Sequence, residues 1–202
     1  MENVNVDKKQ IEFLKQKSIE AFLLSIEIFN KPTIKYRLEG CVFSLCNAWE
    51  LLLKAKMLLD GKSILYPNKT DRSLSLSDCL KLVFTNENDP VRQNLDIIIS
   101  LRNTSTHFII PEYEFSYIPF LAFCVKSYAT KLYEFLGERI NDYIQTDFLS
   151  LFSNRITPNH ADLLSKYGED MIAVRDGMKT PTEDDTTSQI RAETNSQRQP
   201  RE

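Results

Sequence analysis

An all-α fold is predicted for this 202-residue chain by three observations. Apolar residues recur at the i, i+3, i+4, i+7 spacing of amphipathic helices through most of the sequence, and strand-like alternation is almost absent. The length, with 42% hydrophobic and 26% charged residues, suits one globular domain with a real core and leaves no room for a second full domain. The predicted architecture is a bundle of about five helices over residues 1–175, followed by a disordered tail over residues 176–202. The tail prediction rests on composition, because from Lys179 onward aromatics are missing and Ile190 is the only large aliphatic residue.

Taken in order, residues 7–30 carry Ile11, Leu14, Phe22, Leu23, Ile26 and Phe29 on one helical face and Lys8, Lys9, Lys15 and Lys17 on the other, and Pro32 stops the run. A second long helix is predicted over residues 34–60, with Leu38, Cys41, Val42, Leu45, Trp49, Leu52, Leu53 and Leu59 as its stripe and Gly61 just past its end. So short a joint between two long helices predicts antiparallel packing. Residues 61–73 read as a long loop with a turn at Pro67-Asn68. Ser75-Leu76-Ser77-Asp78 resembles a capping box and opens a short helix to Phe84. Pro90 suits the first turn of a fourth helix running to Ile110 and Pro111. A last long helix is predicted over residues 117–143, with Pro119 in its first turn and a stripe ending at Ile140. Short helices near residues 147–152 and 160–167 complete the pattern.

Bulk properties exclude several classes of function. A net charge of -3 and a pI near 5.6 do not describe a general polyanion binder, so any contact with nucleic acid must be local. Cys41, Cys46, Cys79 and Cys124 lack C-x-x-C spacing and lie in apolar helical patterns, which reads as reduced core thiols of a cytoplasmic protein. The polar start MENVNVDKKQ does not read as a secretory signal, and Glu39, Glu50, Lys54 and Lys56 interrupt the greasiest region, so no membrane span is expected. With two histidines, no H-E-x-x-H, no G-x-S-x-G and no phosphate-binding glycine loop, metal catalysis and P-loop hydrolysis are poor fits, and no metal or other cofactor is expected.

The stretch NLDIIISLRNTSTHFII, residues 94–110, concentrates the remaining chemistry. On a helical wheel Asp96, Ser100, Asn103 and His107 form one polar stripe, Ile97, Ile98, Leu101 and Phe108 face the other way, and Arg102 lies between. Arg102 and His107 are then about 140° apart on an ideal helix, so they converge through a long guanidinium arm or a loosening at Thr104-Ser105-Thr106. Arg-x4-His spacing alone is weak evidence, since Arg155 and His160 repeat it. That copy is broken by Pro158 in a region of low apolarity and reads as a loop at a helix start. The first copy sits on a core helix with Asn103 directly after the Arg.

Long helix, long helix, loop, short helix, a helix ending in LRNTSTH and a final long helix together resemble the HEPN superfamily, over about residues 11–138. The resemblance implies a metal-independent endoribonuclease, a toxin or anti-phage abortive-infection effector, that dimerises so that two motifs share one cleft. The substrate's own 2′-OH would attack, leaving a 2′,3′-cyclic phosphate and a 5′-OH. His107 would move the proton and Arg102 would hold the phosphate, with Asn103 orienting phosphate or imidazole. Thr104 and Thr106 are candidates for the floor of the cleft or mere filler. Glu50 matches the acidic residue that some members carry on the second helix, where a carboxylate would raise the pKa of His107, and equally matches a solvated i,i+4 pair with Lys54. Tyr113, Tyr117 and Tyr128 are candidates for base stacking, although their helical spacing favours the core. The implied partners are RNA, a second copy of the chain, and an antitoxin or other defence component. Ile109 stands where one subgroup carries a tyrosine that its antitoxin modifies, so that route of control is not expected. Two alternatives stay open: a non-catalytic HEPN-type nucleotide-binding or dimerisation module, and a plain helical interaction protein.

Overall fold

The computed structural model describes residues 2–67, 69–105 and 114–143. Among these, five α-helices and one small hairpin form an all-α architecture. Helix α1, Glu2–Phe29, contains neither Gly nor Pro, and it begins ahead of the predicted residue 7 because apolar periodicity cannot register a polar helical turn. Helix α2, Arg37–Leu59, begins later than predicted. The peptide N–H of Ile34 is spent on the Lys31 carbonyl at 3.0 Å, in the turn that follows Pro32. Two contacts give the relative direction of the pair. A Cβ on Gly40 would lie 3.0 Å from Ile28 Cγ2, and Ser18 Oγ donates to the Ala48 carbonyl at 2.7 Å. Later positions of one helix meet earlier positions of the other, so α1 and α2 are antiparallel, as predicted.

Helix α2 ends as its glycine requires. Gly61 has φ +71, its N–H reaches the Leu58 carbonyl, and Lys62 N–H reaches the Met57 carbonyl at 2.8 Å. This is a Schellman closure, open to a residue without a Cβ penalty at positive φ. The segment predicted as a loop contains strands β1, Leu65–Tyr66, and β2, Lys69–Ser73, paired antiparallel. The turn signal was legible; strands of two and five residues are too short for alternation to stand out. Helix α3, Leu76–Val83, carries the predicted cap. Asp78 N–H donates to Ser75 Oγ at 3.3 Å and Ser75 Oγ donates to Asp78 Oδ2 at 2.6 Å. The Tyr66 hydroxyl also bonds Asp78, pinning the hairpin to α3.

Helix α4, Pro90–Ser105, is capped by Asp89, whose Oδ1 accepts from Val91 N–H at 2.8 Å. Helix α5, Glu114–Leu136, starts and stops earlier than predicted, which puts Pro119 inside the helix rather than in its first turn. Its end is set by Gly137, at φ +74, with its N–H on the Tyr133 carbonyl at 2.9 Å. Ile140 still reaches the core, from a 3₁₀ turn over Ile140–Asp142.

The core gathers around α2, where Leu38, Cys41, Val42, Leu45, Cys46, Trp49, Leu52 and Leu53 are all buried. Trp49 Nε1 donates to Cys124 Sγ at 3.1 Å. Tyr128 stacks on Phe22 at 4.2 Å, meets Trp49 edge-on at 5.6 Å and shares a hydrogen bond with Ser18. Helices α1, α2 and α5 thus meet at one aromatic knot. Tyr117 and Tyr128 are core residues and take no part in base stacking. All four cysteines are free and buried. Burial pushes the thiols of Cys41 and Cys46 up to about 12 and that of Cys79 to about 11, so they are inert at neutral pH. No helix among the described residues is long and apolar enough to cross a membrane. The predicted short helices beyond residue 146, the second Arg-x4-His copy, Tyr113 and the tail lie outside the described residues.

Candidate functional site

The polar stripe predicted for α4 is present at its described positions. Asp96, Ser100 and Asn103 are exposed, Ile98 and Leu101 are buried, and Arg102 is half-buried between the two faces. Thr106 and His107 lie outside the described residues, so the described half of the site is its guanidinium half. Buried Asn94, also on α4, donates to the Phe120 carbonyl at 3.2 Å and ties α4 to α5.

Arg102 and Asn103 act on each other. The Nε and Nη2 groups of Arg102 donate to Asn103 Oδ1 at 3.3 and 3.2 Å. One carbonyl oxygen accepting from two N–H groups along one edge of a planar guanidinium steadies its plane. Asn103 thus contacts Arg102, and its predicted contact with the imidazole lies outside the described residues. Thr104 is turned to its own helix, with Oγ1 donating to the Ser100 carbonyl at 2.7 Å, and it is absent from the cleft walls described next. Back-bonding of this kind loosens a helix locally.

A cleft of about 410 Å³ lies between α2 and α4, lined by Phe43, Ser44, Asn47, Glu50 and Arg102. That volume falls in the range of small-molecule sites, about 300–1,000 Å³. Phe43, Asn47 and Glu50 follow i, i+4, i+7 spacing and share one stripe of α2. Immediately behind them the two helices are joined in the core, where Cys46 Sγ lies 3.9 Å from the Ile98 carbonyl. The Cys46 thiol, pushed up chiefly by burial, feels Arg102 as an opposing influence and Glu50 as a reinforcing one.

Glu50 makes the expected i,i+4 pair with Lys54, and the alternative contact with His107 lies outside the described residues. Its carboxylate accepts from Lys54 Nζ at 2.6 Å, one helical turn away, yet the pair is not the solvated one expected. The Lys54 side chain is 6% exposed and Glu50 27%. Lys54 also donates to Ser73 Oγ at 3.0 Å, so the hairpin, the buried ammonium, Glu50 and the cleft form one connected series. A charge buried this deeply persists only because it is paired.

Sequence reasoning missed Phe43, Ser44 and Asn47. The available signal was Phe43, a large apolar residue standing off the core stripe of α2 and repeated by polar residues at helical spacing. Among the described residues no group of three or more His, Cys, Asp or Glu side chains could hold a metal ion.

The family described as a domain of unknown function (DUF3644) matches residues 13–183. No curated protein and no solved structure matches the chain.

Proposed function

The chain belongs to the DUF3644 family, and from its own residues we propose that it is a metal-independent endoribonuclease of the HEPN type, acting as a toxin or abortive-infection effector in the cytoplasm. The observation that carries this reading is the shared cleft. Arg102, from the Arg-x4-His motif on α4, and Glu50, from the second long helix, come from distant parts of the chain and line the same cavity.

In this reading two copies pair so that both motifs face one groove. Arg102, held in plane by Asn103, binds the scissile phosphate and offsets the charge that builds on it during attack. His107 takes the proton from the ribose 2′-OH and returns one to the departing 5′-oxygen, which leaves a 2′,3′-cyclic phosphate. Glu50 holds the imidazole in its tautomer and raises its proton affinity. Pairing also concentrates positive charge locally in a chain whose net charge is -3. The second reading is a nucleotide-binding module without cleavage, favoured by one observation: the Glu50 carboxylate is already engaged by Lys54.

The test is incubation of the purified protein with total RNA in EDTA. Cleavage is expected to survive chelation, to leave cyclic-phosphate ends, and to fall by about 10²-fold or more in both Arg102→Ala and His107→Ala. Activity that needs added divalent metal, or that persists in His107→Ala, sinks the ribonuclease. Retained nucleotide binding without cleavage supports the second reading.

A further inference from the structure

We propose that Phe43 and Asn47 form a nucleobase subsite beside Arg102, selective for adenine, with Glu50 as a second acceptor for its exocyclic amino group. The subsite deepens the ribonuclease reading and rests on it for the ligand, a strand of RNA.

Phe43 is 60% exposed although it belongs to the same helix as the largest block of buried side chains among the described residues. It lines a cleft whose other described walls, Ser44, Asn47, Glu50 and Arg102, are polar or charged. A phenyl ring on the edge of a polar cleft offers a flat apolar surface to a base, and such stacking is worth about ten-fold or more in affinity. Asn47, one turn further along the same stripe, makes no side-chain hydrogen bond among the described residues. Its amide offers one donor and one acceptor group together, the pattern that pairs with the N7 and N6 edge of adenine. Glu50 is acceptor-only when ionised and retains acceptor capacity beyond its bond to Lys54. The N6 amino group of adenine satisfies it, whereas the O4 carbonyl of uracil or the O6 carbonyl of guanine sets acceptor against acceptor. Arg102, on the opposite helix, is the phosphate contact of the ribonuclease reading. Together these groups present an apolar platform, an edge reader and an anion holder within one cavity of nucleotide size.

The test measures binding by the full-length protein to 2′-O-methyl dinucleotides, which cannot supply an attacking 2′-OH, with ribose 5-phosphate as a base-free control. ApA is expected to bind at least several-fold more tightly than UpU or GpG. Phe43→Ala should weaken ApA binding about ten-fold and leave ribose 5-phosphate unchanged, while Phe43→Trp keeps it. Asn47→Ala should abolish the preference over UpU, and Arg102→Ala should weaken every probe. Sedimentation of each variant shows whether assembly has changed. The subsite is overturned by equal affinity for ApA and either UpU or GpG, by no binding of any probe, by equal losses for ApA and ribose 5-phosphate in Phe43→Ala, or by a change of oligomeric state in Phe43→Ala that leaves ApA binding intact. Cleavage in EDTA is scored separately. Selective ApA binding without cleavage sinks the ribonuclease and keeps the subsite, and cleavage without base preference does the reverse.

Discussion

The two faces of α2 make different demands on their residues. The inner face carries Cys41, Leu45, Trp49 and Leu52, all fully buried, and Trp49 touches partners on α5 through both its ring and its indole N–H. The outer face carries Phe43, Asn47 and Glu50, open to the cleft. One helix thus serves as the keel of the bundle and as a wall of its candidate site. The difference teaches that truncation on the inner face should cost stability, whereas truncation on the outer face should cost recognition and leave the fold intact. Lys54 is the crossing point, because it is buried like a core residue yet holds a cleft residue.

The largest effect on stability is expected at Trp49. Trp49→Ala removes the centre of the aromatic knot and should destabilise by about 3–5 kcal/mol, read as a lower denaturant midpoint at unchanged slope. Asn47→Ala in the same assay should lie within about 0.5 kcal/mol of the parent protein. Comparable losses for the two would erase the distinction between the faces.

Lys54→Met comes next, at about 1–3 kcal/mol, because it leaves the partly buried Glu50 carboxylate without its ammonium. Discounting for the exposure of Glu50 keeps this below the cost of breaking a fully buried pair. Adding Glu50→Gln should restore part of the loss, since it removes the stranded charge. If the double variant is no more stable than the single one, Lys54 acts through packing and does not hold Glu50.

A smaller loss than that of Lys54→Met is expected away from α2, at the cap that joins hairpin and α3. Asp78→Ala should cost about 1 kcal/mol near neutral pH. Hydrogen bonds from Ser75 and then Tyr66 hold the Asp78 carboxyl below its ordinary value of 3.8. A lowered pKa stabilises the fold fully above the ordinary value, and that contribution is lost as pH falls through the lowered one. The gap between parent and Asp78→Ala should therefore narrow in acid below the ordinary carboxylate range. Thermal melts across that range measure it, and a gap that widens on acidification would refute the assignment.

Much of this molecule is local and was legible as such. The stripe of α2, the Ser75 cap, the glycine past Leu59 and the buried cysteines each follow from neighbours within a few positions, where periodicity and capping chemistry act. The same locality misplaced the end of α5. The apolar stripe continues to Ile140, but Gly137 closes the helix first and Ile140 enters the core from the turn beyond. The hairpin escaped notice because its strands are too short to alternate visibly.

The candidate site divides along the same line. Sequence alone determined that Arg102 follows a buried apolar run and that Glu50 stands one turn from Lys54, because helical spacing dictates which residues share a face. Only the tertiary structure decided that Glu50, Asn47 and Phe43 stand across a cleft from Arg102, and that Lys54 is buried beneath the hairpin. Which helix faces which is set by packing among the large side chains behind them, and no spacing along a single helix encodes its neighbour.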